Sequence, residues 1–192
     1  MSNIRNNWKL EEVLELFNKS FNELLFEAHD THIQNHKKDM VQVCTLLSIK
    51  TGGCPEDCGY CSQSIHSDDP IEATPLMSLE EVKKQATLAR DQGSTRFCMG
   101  AAWRRPSNKN IDRVIKMIDV VHDLGMESCV TLGMLSEDQA VRLSKSGLNY
   151  YNHNLDTSRE YYTKVISTRN YQDRLNTLKY VRESGIKVCS GG

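Results

Sequence analysis

Two spacings of hydrophobic residues alternate along this chain, and together they predict its elements. Short apolar runs occupy residues 41–50, 95–100, 127–132, 149–155 and 186–190. Between them, apolar residues recur every three or four positions, as on the buried face of a helix. Two helical stretches start with capping boxes, at Ser78-x-x-Glu81 and Ser136-x-x-Gln139. Glycines at positions 93, 125, 147 and 185 mark the predicted helix ends, so the pattern predicts five strands joined by four helices.

This alternation determines the fold class. Strands that alternate with helices at a period of roughly thirty residues are typical of βαβ units and a parallel sheet. A TIM-type barrel closes with eight such units and typically has about 250 residues, whereas this chain has 192. We therefore expect an α/β fold, a partial TIM-type (β/α) barrel over residues 41–192 that is incomplete at its C-terminus. The alternative is a complete five-stranded doubly-wound sheet, with Gly191-Gly192 as its natural end.

A different pattern precedes the barrel. From Trp8 to about His29 the apolar residues follow helical spacing, which predicts an amphipathic helix or helix pair packed on the outside of the barrel. Residues 1–40 are therefore interpreted as an N-terminal helical extension. His32 and His36 have the i, i+4 spacing of a metal pair, but they lack an acidic or thiol neighbour in register and are expected to be surface residues.

Composition and charge indicate which classes of partner and location to expect. The chain is 39% hydrophobic and 26% charged, which is ordinary for a soluble globular protein. A net charge of -1 gives no reason to expect a nucleic-acid partner. The first seven residues lack a signal-peptide core, and no apolar run has membrane-spanning length. We expect a cytoplasmic protein without a membrane partner.

The chemistry is concentrated in one loop. Cys54, Cys58 and Cys61 follow the spacing C-x3-C-x2-C, in a segment opened by Gly52-Gly53 and Pro55. Glycine and proline break regular structure, so the loop can turn its sulfurs towards one centre. Three cysteines leave one iron of a [4Fe–4S] cluster without a protein ligand, and an open coordination site is typical of a catalytic metal centre. A zinc site completed by a distant ligand is the alternative, and three unrelated reduced thiols would be the simplest explanation.

Three further cysteines lie at similar positions along their predicted strands and form a second set of thiols. Cys98, Cys129 and Cys189 lie four or five residues after the glycine that ends the preceding helix, and Asn152 occupies the corresponding depth on the fourth strand. Equal depth on neighbouring parallel strands predicts one layer inside the barrel. We interpret these three cysteines as a second cluster site, with small buried hydrophobic residues as the alternative. Cys44 has no partner at its depth and is expected to pack in the core.

The loop spacing, with Tyr60 before the third cysteine, resembles the radical S-adenosylmethionine (SAM) superfamily. That resemblance implies that the fourth iron binds SAM and that an electron from the cluster releases a 5′-deoxyadenosyl radical. Four longer runs, at residues 48–58, 96–103, 151–158 and 188–192, resemble the biotin synthase family within this superfamily. The similarity extends from about Trp8 to the last residue and indicates the N-terminal portion of such a chain.

The resemblance to biotin synthases also implies roles for individual residues. Cys54, Cys58 and Cys61 would hold the [4Fe–4S] cluster, and Cys98, Cys129 and Cys189 a [2Fe–2S] cluster consumed as sulfur donor. Tyr60, Asn154 and Asp156 would bind the cofactor, the last two through the SAM ribose, while Asn152 and Asn154 would contact the substrate dethiobiotin. The family's fourth [2Fe–2S] ligand is an arginine on a later strand, beyond residue 192. Arg96 is not expected to replace it.

The implied reaction is radical sulfur insertion, which converts dethiobiotin to biotin in the last step of biotin biosynthesis. A flavodoxin-type reductant, iron–sulfur assembly proteins and a homodimer are the partners that the resemblance implies. Truncation is expected to impair the activity of this chain. Two alternatives stay open: another radical SAM sulfur-insertion enzyme, and a non-catalytic fragment that binds an iron–sulfur cluster or zinc.

Overall fold

The structure is a computed structural model that describes residue 5 and residues 7–191. The predictions that involve residues 1–4, Asn6 and Gly192 lie outside the described residues. The chain divides into two compact units, Met1–Val41 and Gln42–Gly192. The proposed packing of the N-terminal helices on the barrel stays a prediction.

The first unit contains a helix pair, as the spacing of apolar residues predicts: α1 (Leu10–Phe17) and α2 (Phe21–Asn35). Ser20 caps α2 by accepting a hydrogen bond from the backbone N–H of Glu23. His32 and His36 stack their rings 5.5 Å apart on the last turns of α2.

The second unit alternates strands and helices in the predicted order. Its elements are β1 (Cys44–Lys50), α3 (Leu79–Asp91), β2 (Arg96–Ala101), α4 (Asn108–Asp123), β3 (Glu127–Thr131), α5 (Glu137–Lys145), β4 (Tyr150–Asn152), α6 (Tyr162–Val165), α7 (Tyr171–Glu183) and β5 (Lys187–Cys189). Both predicted capping boxes are present. The short helix α6 was not predicted, because four residues are too few for a periodic pattern.

The five strands form one parallel sheet in the order β1-β2-β3-β4-β5. A doubly-wound sheet reverses its strand order at a switch point, whereas a barrel adds each strand beside the previous one. The alternative of a doubly-wound sheet is therefore wrong, and the partial barrel is confirmed.

The hydrophobic core lies between one face of this sheet and the helices. Phe97, Met99, Val130 and Tyr151 point from the strands into it and are fully buried, and Ile118 of α4 packs against them. The other face, which becomes the inside of a barrel, carries the alternate residues of each strand. This face is called the concave face below. In the part of the chain that the structure describes, no helix is both long enough and apolar enough to cross a membrane.

Candidate active site

A cavity of about 310 Å³ opens at the carboxyl ends of the strands. Active sites of β/α barrels form at this end, because the loops after each strand converge there. The cavity brings together most of the residues predicted for cofactor and substrate binding. Its wall includes Cys54, Cys58, Cys61, Asn152, Asn154 and Asp156, and also Tyr60.

The cysteine loop is built as its glycines predict. Gly52 has φ +68°, and a Cβ atom there would lie 2.4 Å from the carbonyl oxygen of Ile71, so only glycine fits. Cys54 is held between two backbone hydrogen bonds of 2.9 Å, with the Gln63 carbonyl and the Ile65 N–H. The Cys61 N–H donates to the Cys58 carbonyl at 3.0 Å and closes a turn. These bonds fix the three cysteines around one side of the cavity.

The environment of Cys54 and Cys58 opposes the ionisation of these two thiols in the absence of a metal. Burial raises the pKa of Cys54. Burial raises the pKa of Cys58 to about 11, although the neighbouring Arg169 guanidinium acts in the opposite direction. Since a bound metal requires the thiolate, binding at this loop would release protons.

Three thiols on one cavity wall fit an iron–sulfur cluster with one open iron. Among residues 5 and 7–191, no three His, Cys, Asp or Glu side chains are arranged to hold a single metal ion. A cubane differs from a single ion because each of its irons takes its own ligand, so its protein ligands do not have to meet at one point. The acidic residues of the loop, Glu56 and Asp57, are occupied elsewhere.

Glu56 and Asp57 tie the cysteine loop to residues 165–169, called the bracing segment below. The Asp57 carboxylate accepts the backbone N–H groups of Ser167 at 2.9 Å and of Thr168 at 3.1 Å. Burial alone would raise the pKa of Asp57, but the hydrogen bond from the Ser167 hydroxyl, together with the two backbone N–H bonds, outweighs it and lowers the pKa well below its ordinary value. Glu56 is 1% exposed, and its Oε1 atom lies 3.2 Å from Arg104 Nε.

The second set of thiols lies on the concave face, beneath the cavity. Cys98 on β2 pairs directly with Cys129 on β3, so their side chains share one face and one depth. Gly100 and Thr131 follow them by two residues on the same strands and line the cavity. The two thiols therefore lie one layer below the cavity floor.

Cys189 is displaced along its strand. Cys129 on β3 pairs with Tyr150 on β4, and Tyr150 pairs with Lys187 on β5. Lys187 lies two residues before Cys189. The prediction that Cys189 lies at the same depth as Cys98 and Cys129 is therefore wrong. Because alternate strand residues point to the same face, a displacement of two residues still leaves Cys189 on the concave face. Strands of a barrel are tilted, with a shear of about one residue per strand, so two residues over two strands is the offset that this tilt produces. The number of residues between each cysteine and the preceding helix end does not reflect this tilt, so the sequence could not predict the displacement.

Two of these thiols interact directly. A hydrogen bond between Cys98 and Cys129 lowers the pKa of Cys98, and it raises the pKa of Cys129 together with burial. Cys98 is therefore the more acidic thiol of the pair. Cys44 is exposed, so its predicted place in the core is wrong. It pairs with Arg96 at the opposite end of the concave face from the cavity.

The polar side chains after β4 are held by different partners. The Asn152 amide donates to Cys189 Sγ at 3.8 Å and links the cavity wall to the second thiol set. Asn154 accepts the Gly191 N–H through Oδ1 at 3.1 Å. β4 ends at Asn152, three residues before the predicted end of the strand, and Asp156 beyond it has φ 72°, in the left-handed region that few non-glycine residues adopt.

His153, Arg169 and Arg174 also line the cavity, and the sequence analysis did not predict them as site residues. His153 is 1% exposed and its Nε2 atom has no hydrogen-bond partner, while Nδ1 lies 3.4 Å from Arg174 Nη1. Burial lowers the pKa of His153 to about 3, assisted by the positive charges of Arg174 and Arg169. The available signal was that both arginines flank the N-terminus of α7, at the end of the barrel where active sites form.

Comparison with known proteins agrees with this architecture. The family model described as "Radical SAM superfamily" matches residues 48–192, which include both thiol sets. The chain belongs to the radical SAM superfamily. Membership implies a [4Fe–4S] cluster and SAM as cofactors.

Two curated relatives, both named biotin synthase, are similar over the whole chain. The protein from Thioalkalivibrio sulfidiphilus is 58% identical and that from Erythrobacter litoralis 56% identical, each over 192 residues. The alignments cover 100% of this chain but 56% of each relative, so the chain spans little more than half of their length. Among solved structures, HydG, a maturase of the [FeFe]-hydrogenase, superimposes with a TM-score of 0.77 at 20% identity, covering 94% of this chain and 42% of that one. At this identity the match supports the fold alone.

Proposed function

We propose that this chain carries the cofactor-binding portion of a biotin synthase, which inserts sulfur into dethiobiotin to form biotin. The observation that carries the proposal is the stacking of two thiol sets: three cysteines around the cavity, and three more on the concave face beneath it. The similarity to curated biotin synthases over the entire chain supports the same reaction.

Each set of thiols would hold one cluster. Cys54, Cys58 and Cys61 would bind the [4Fe–4S] cluster, and Cys98, Cys129 and Cys189 the [2Fe–2S] cluster. When bound, these groups supply the electron that cleaves SAM to a 5′-deoxyadenosyl radical and the sulfur that enters the product.

The chain's own residues would orient the ligands and exclude water. Asn154 and Asp156 line the cavity and would bind hydroxyl groups of the SAM ribose, and Tyr60, on the same wall, would contact the cofactor. Asn152 and Asn154 would contact dethiobiotin, and because Asn152 also reaches Cys189, it would hold substrate next to the sulfur source. A half-enclosed cavity limits the access of water to a reactive intermediate.

The wider setting follows from the resemblance to biotin synthases. We propose a flavodoxin-type reductant, iron–sulfur assembly proteins and a homodimeric state as partners, and the cytoplasm as location. Thiol ligands must stay reduced, which a cytosolic redox environment ensures.

Anaerobic reconstitution with iron and sulfide tests the proposal. The chain is expected to bind iron and acid-labile sulfide in the amount of one [4Fe–4S] cluster and to cleave SAM when reduced. A [2Fe–2S] cluster held by three of its four ligands should add to these amounts but should be lost more readily. Formation of biotin from dethiobiotin would complete the assignment. Zinc without acid-labile sulfide would contradict it, and SAM cleavage without biotin would limit this chain to the first half of the reaction.

A further inference from the structure

The side chain of Arg169 connects the cysteine loop to the bracing segment. Its Nη2 atom donates to Cys58 Sγ at 3.2 Å, and its Nε atom donates to the Tyr162 hydroxyl at 3.2 Å. Nη1 lies 3.7 Å from Glu56 Oε1, and only 5% of the side chain is exposed. A planar guanidinium with partners on several sides is fixed in orientation as well as in position.

The backbone around Arg169 is fixed independently of this side chain. The Gly59 N–H donates to the Val165 carbonyl at 3.0 Å, and Asp57 accepts the N–H groups of Ser167 and Thr168. These contacts anchor the cysteine loop on both sides of Cys58. The distance between Arg169 and the Cys58 sulfur is therefore set by the fold.

We propose that Arg169 is a positioning residue for the [4Fe–4S] cluster, holding the Cys58 ligand in place and making the bound cluster easier to reduce. The inference rests on the proposed function. A cluster gains negative charge on reduction, and a hydrogen bond from a cation to one of its sulfurs stabilises the reduced state. The loop would therefore retain its metal better and accept an electron at a less negative potential.

Two other arginines near the site do not have this arrangement. Arg174 bonds Asp156 and lies beside His153. Arg104 contacts the same Glu56 oxygen as Arg169, but its side chain is 49% exposed. Arg104 provides a matched control, since its replacement weakens the charge balance at Glu56 without removing the hydrogen bond to sulfur.

The experiment compares R169Q, R169K and R104Q with the parent chain after anaerobic reconstitution. The reduction potential of the cluster is followed by electron paramagnetic resonance, and iron loss to a chelator by absorbance. We expect R169Q to shift the potential to a more negative value and to lose iron about tenfold faster, the usual effect of removing a partner of a metal ligand. R169K retains the charge and should fall between R169Q and the parent, while R104Q should stay close to the parent.

Equal potentials and equal iron-loss rates in R169Q and R104Q would overturn the inference. Circular dichroism of the metal-free variants checks that they fold. If R169Q does not fold, R169K is compared with the parent instead. An R169K variant with the potential and the iron-loss rate of the parent would then contradict the inference. A parent chain that takes up no iron and sulfide would contradict the proposed function itself. A loaded parent with an unchanged R169Q would contradict only the role of Arg169.

Discussion

The hydroxyl of Tyr60 donates a hydrogen bond of 2.5 Å to Asp156 Oδ1, although the two residues are 96 positions apart. The bond closes the cavity between the cysteine loop and the segment after β4. Burial raises the pKa of Tyr60 well above its ordinary value, and the hydrogen bond to Asp156 raises it further. Tyr60 therefore remains a donor at neutral pH.

Tyr60→Phe is expected to lower the free energy of unfolding by about 1 kcal/mol, because it removes a hydrogen bond to a carboxylate at a partly exposed site. Urea unfolding of the reduced, metal-free chain measures this loss. Tyr161→Phe is the control matched in exposure, since this tyrosine is 59% exposed and Tyr60 62%, and its effect should stay within about 0.5 kcal/mol. Equal effects of the two variants would show that the Tyr60 bond contributes nothing.

The two sets of thiols should load separately. Cys129→Ala removes the buried thiol that bonds Cys98 and should abolish the [2Fe–2S] cluster while the [4Fe–4S] cluster remains. Iron and sulfide analysis with visible absorption measures both. Cys44→Ala is the control on the same face of the sheet and should retain both clusters. Full loading of Cys129→Ala would contradict the second site.

Gly133 lies where the loop after β3 meets the loop after β2. Its φ is +82°, and an added Cβ would lie 2.2 Å from the Trp103 carbonyl oxygen. Gly125 has a similar φ of +76° but open space around its Cβ position. Gly125→Ala should therefore cost only the left-handed backbone penalty of about 1–2 kcal/mol, and Gly133→Ala at least twice as much. Comparable losses in urea unfolding would mean that the loops move apart freely.

His153 should make stability depend on pH. The groups that face it include Arg174, Arg169 and Tyr151, and burial together with the two cations lowers its folded pKa to about 3. Between pH 6.5 and 3 the unfolded chain binds a proton that the folded chain does not, so stability falls as the pH falls. The slope from this residue approaches about 1.4 kcal/mol per pH unit.

The test is the slope of unfolding free energy between pH 7 and 5 in the metal-free chain. His153→Gln should reduce that slope, because glutamine does not titrate, whereas contributions from other groups remain. His36→Gln is the control for replacing an exposed histidine, and the change in slope caused by His153→Gln is compared with it. Parallel curves for His153→Gln and the parent would show that His153 takes up its proton in the folded state.

Most of the fold could be predicted from local signals. Capping boxes at Ser78 and Ser136 and glycines after each long helix fix the element boundaries, and these are confirmed to within a few residues. The cysteine loop could be recognised because its ligands are close in sequence. The spacing of apolar residues in helices, the helix caps and the turns depend only on residues close in sequence, so they can be recognised without the tertiary structure.

The site was only partly predictable. Arg169 and Arg174 stand far in sequence from the cysteines they neighbour, and no periodic pattern marks them. The displacement of Cys189 depends on how the strands tilt, which strand residues alone do not encode. Cys44 was misplaced because alternation shows that a residue faces one side of a sheet but does not show whether that side is covered.

The sequence by itself determined the order of elements, the parallel sheet and the presence of two groups of thiols. Tertiary structure decided which carboxylates and guanidiniums surround those thiols, that Glu56 and Asp57 brace the loop, and that His153 stays neutral. The reason is physical: secondary structure follows from short-range sterics and hydrogen bonding, whereas burial, ion pairing and pKa depend on side chains that only folding brings together.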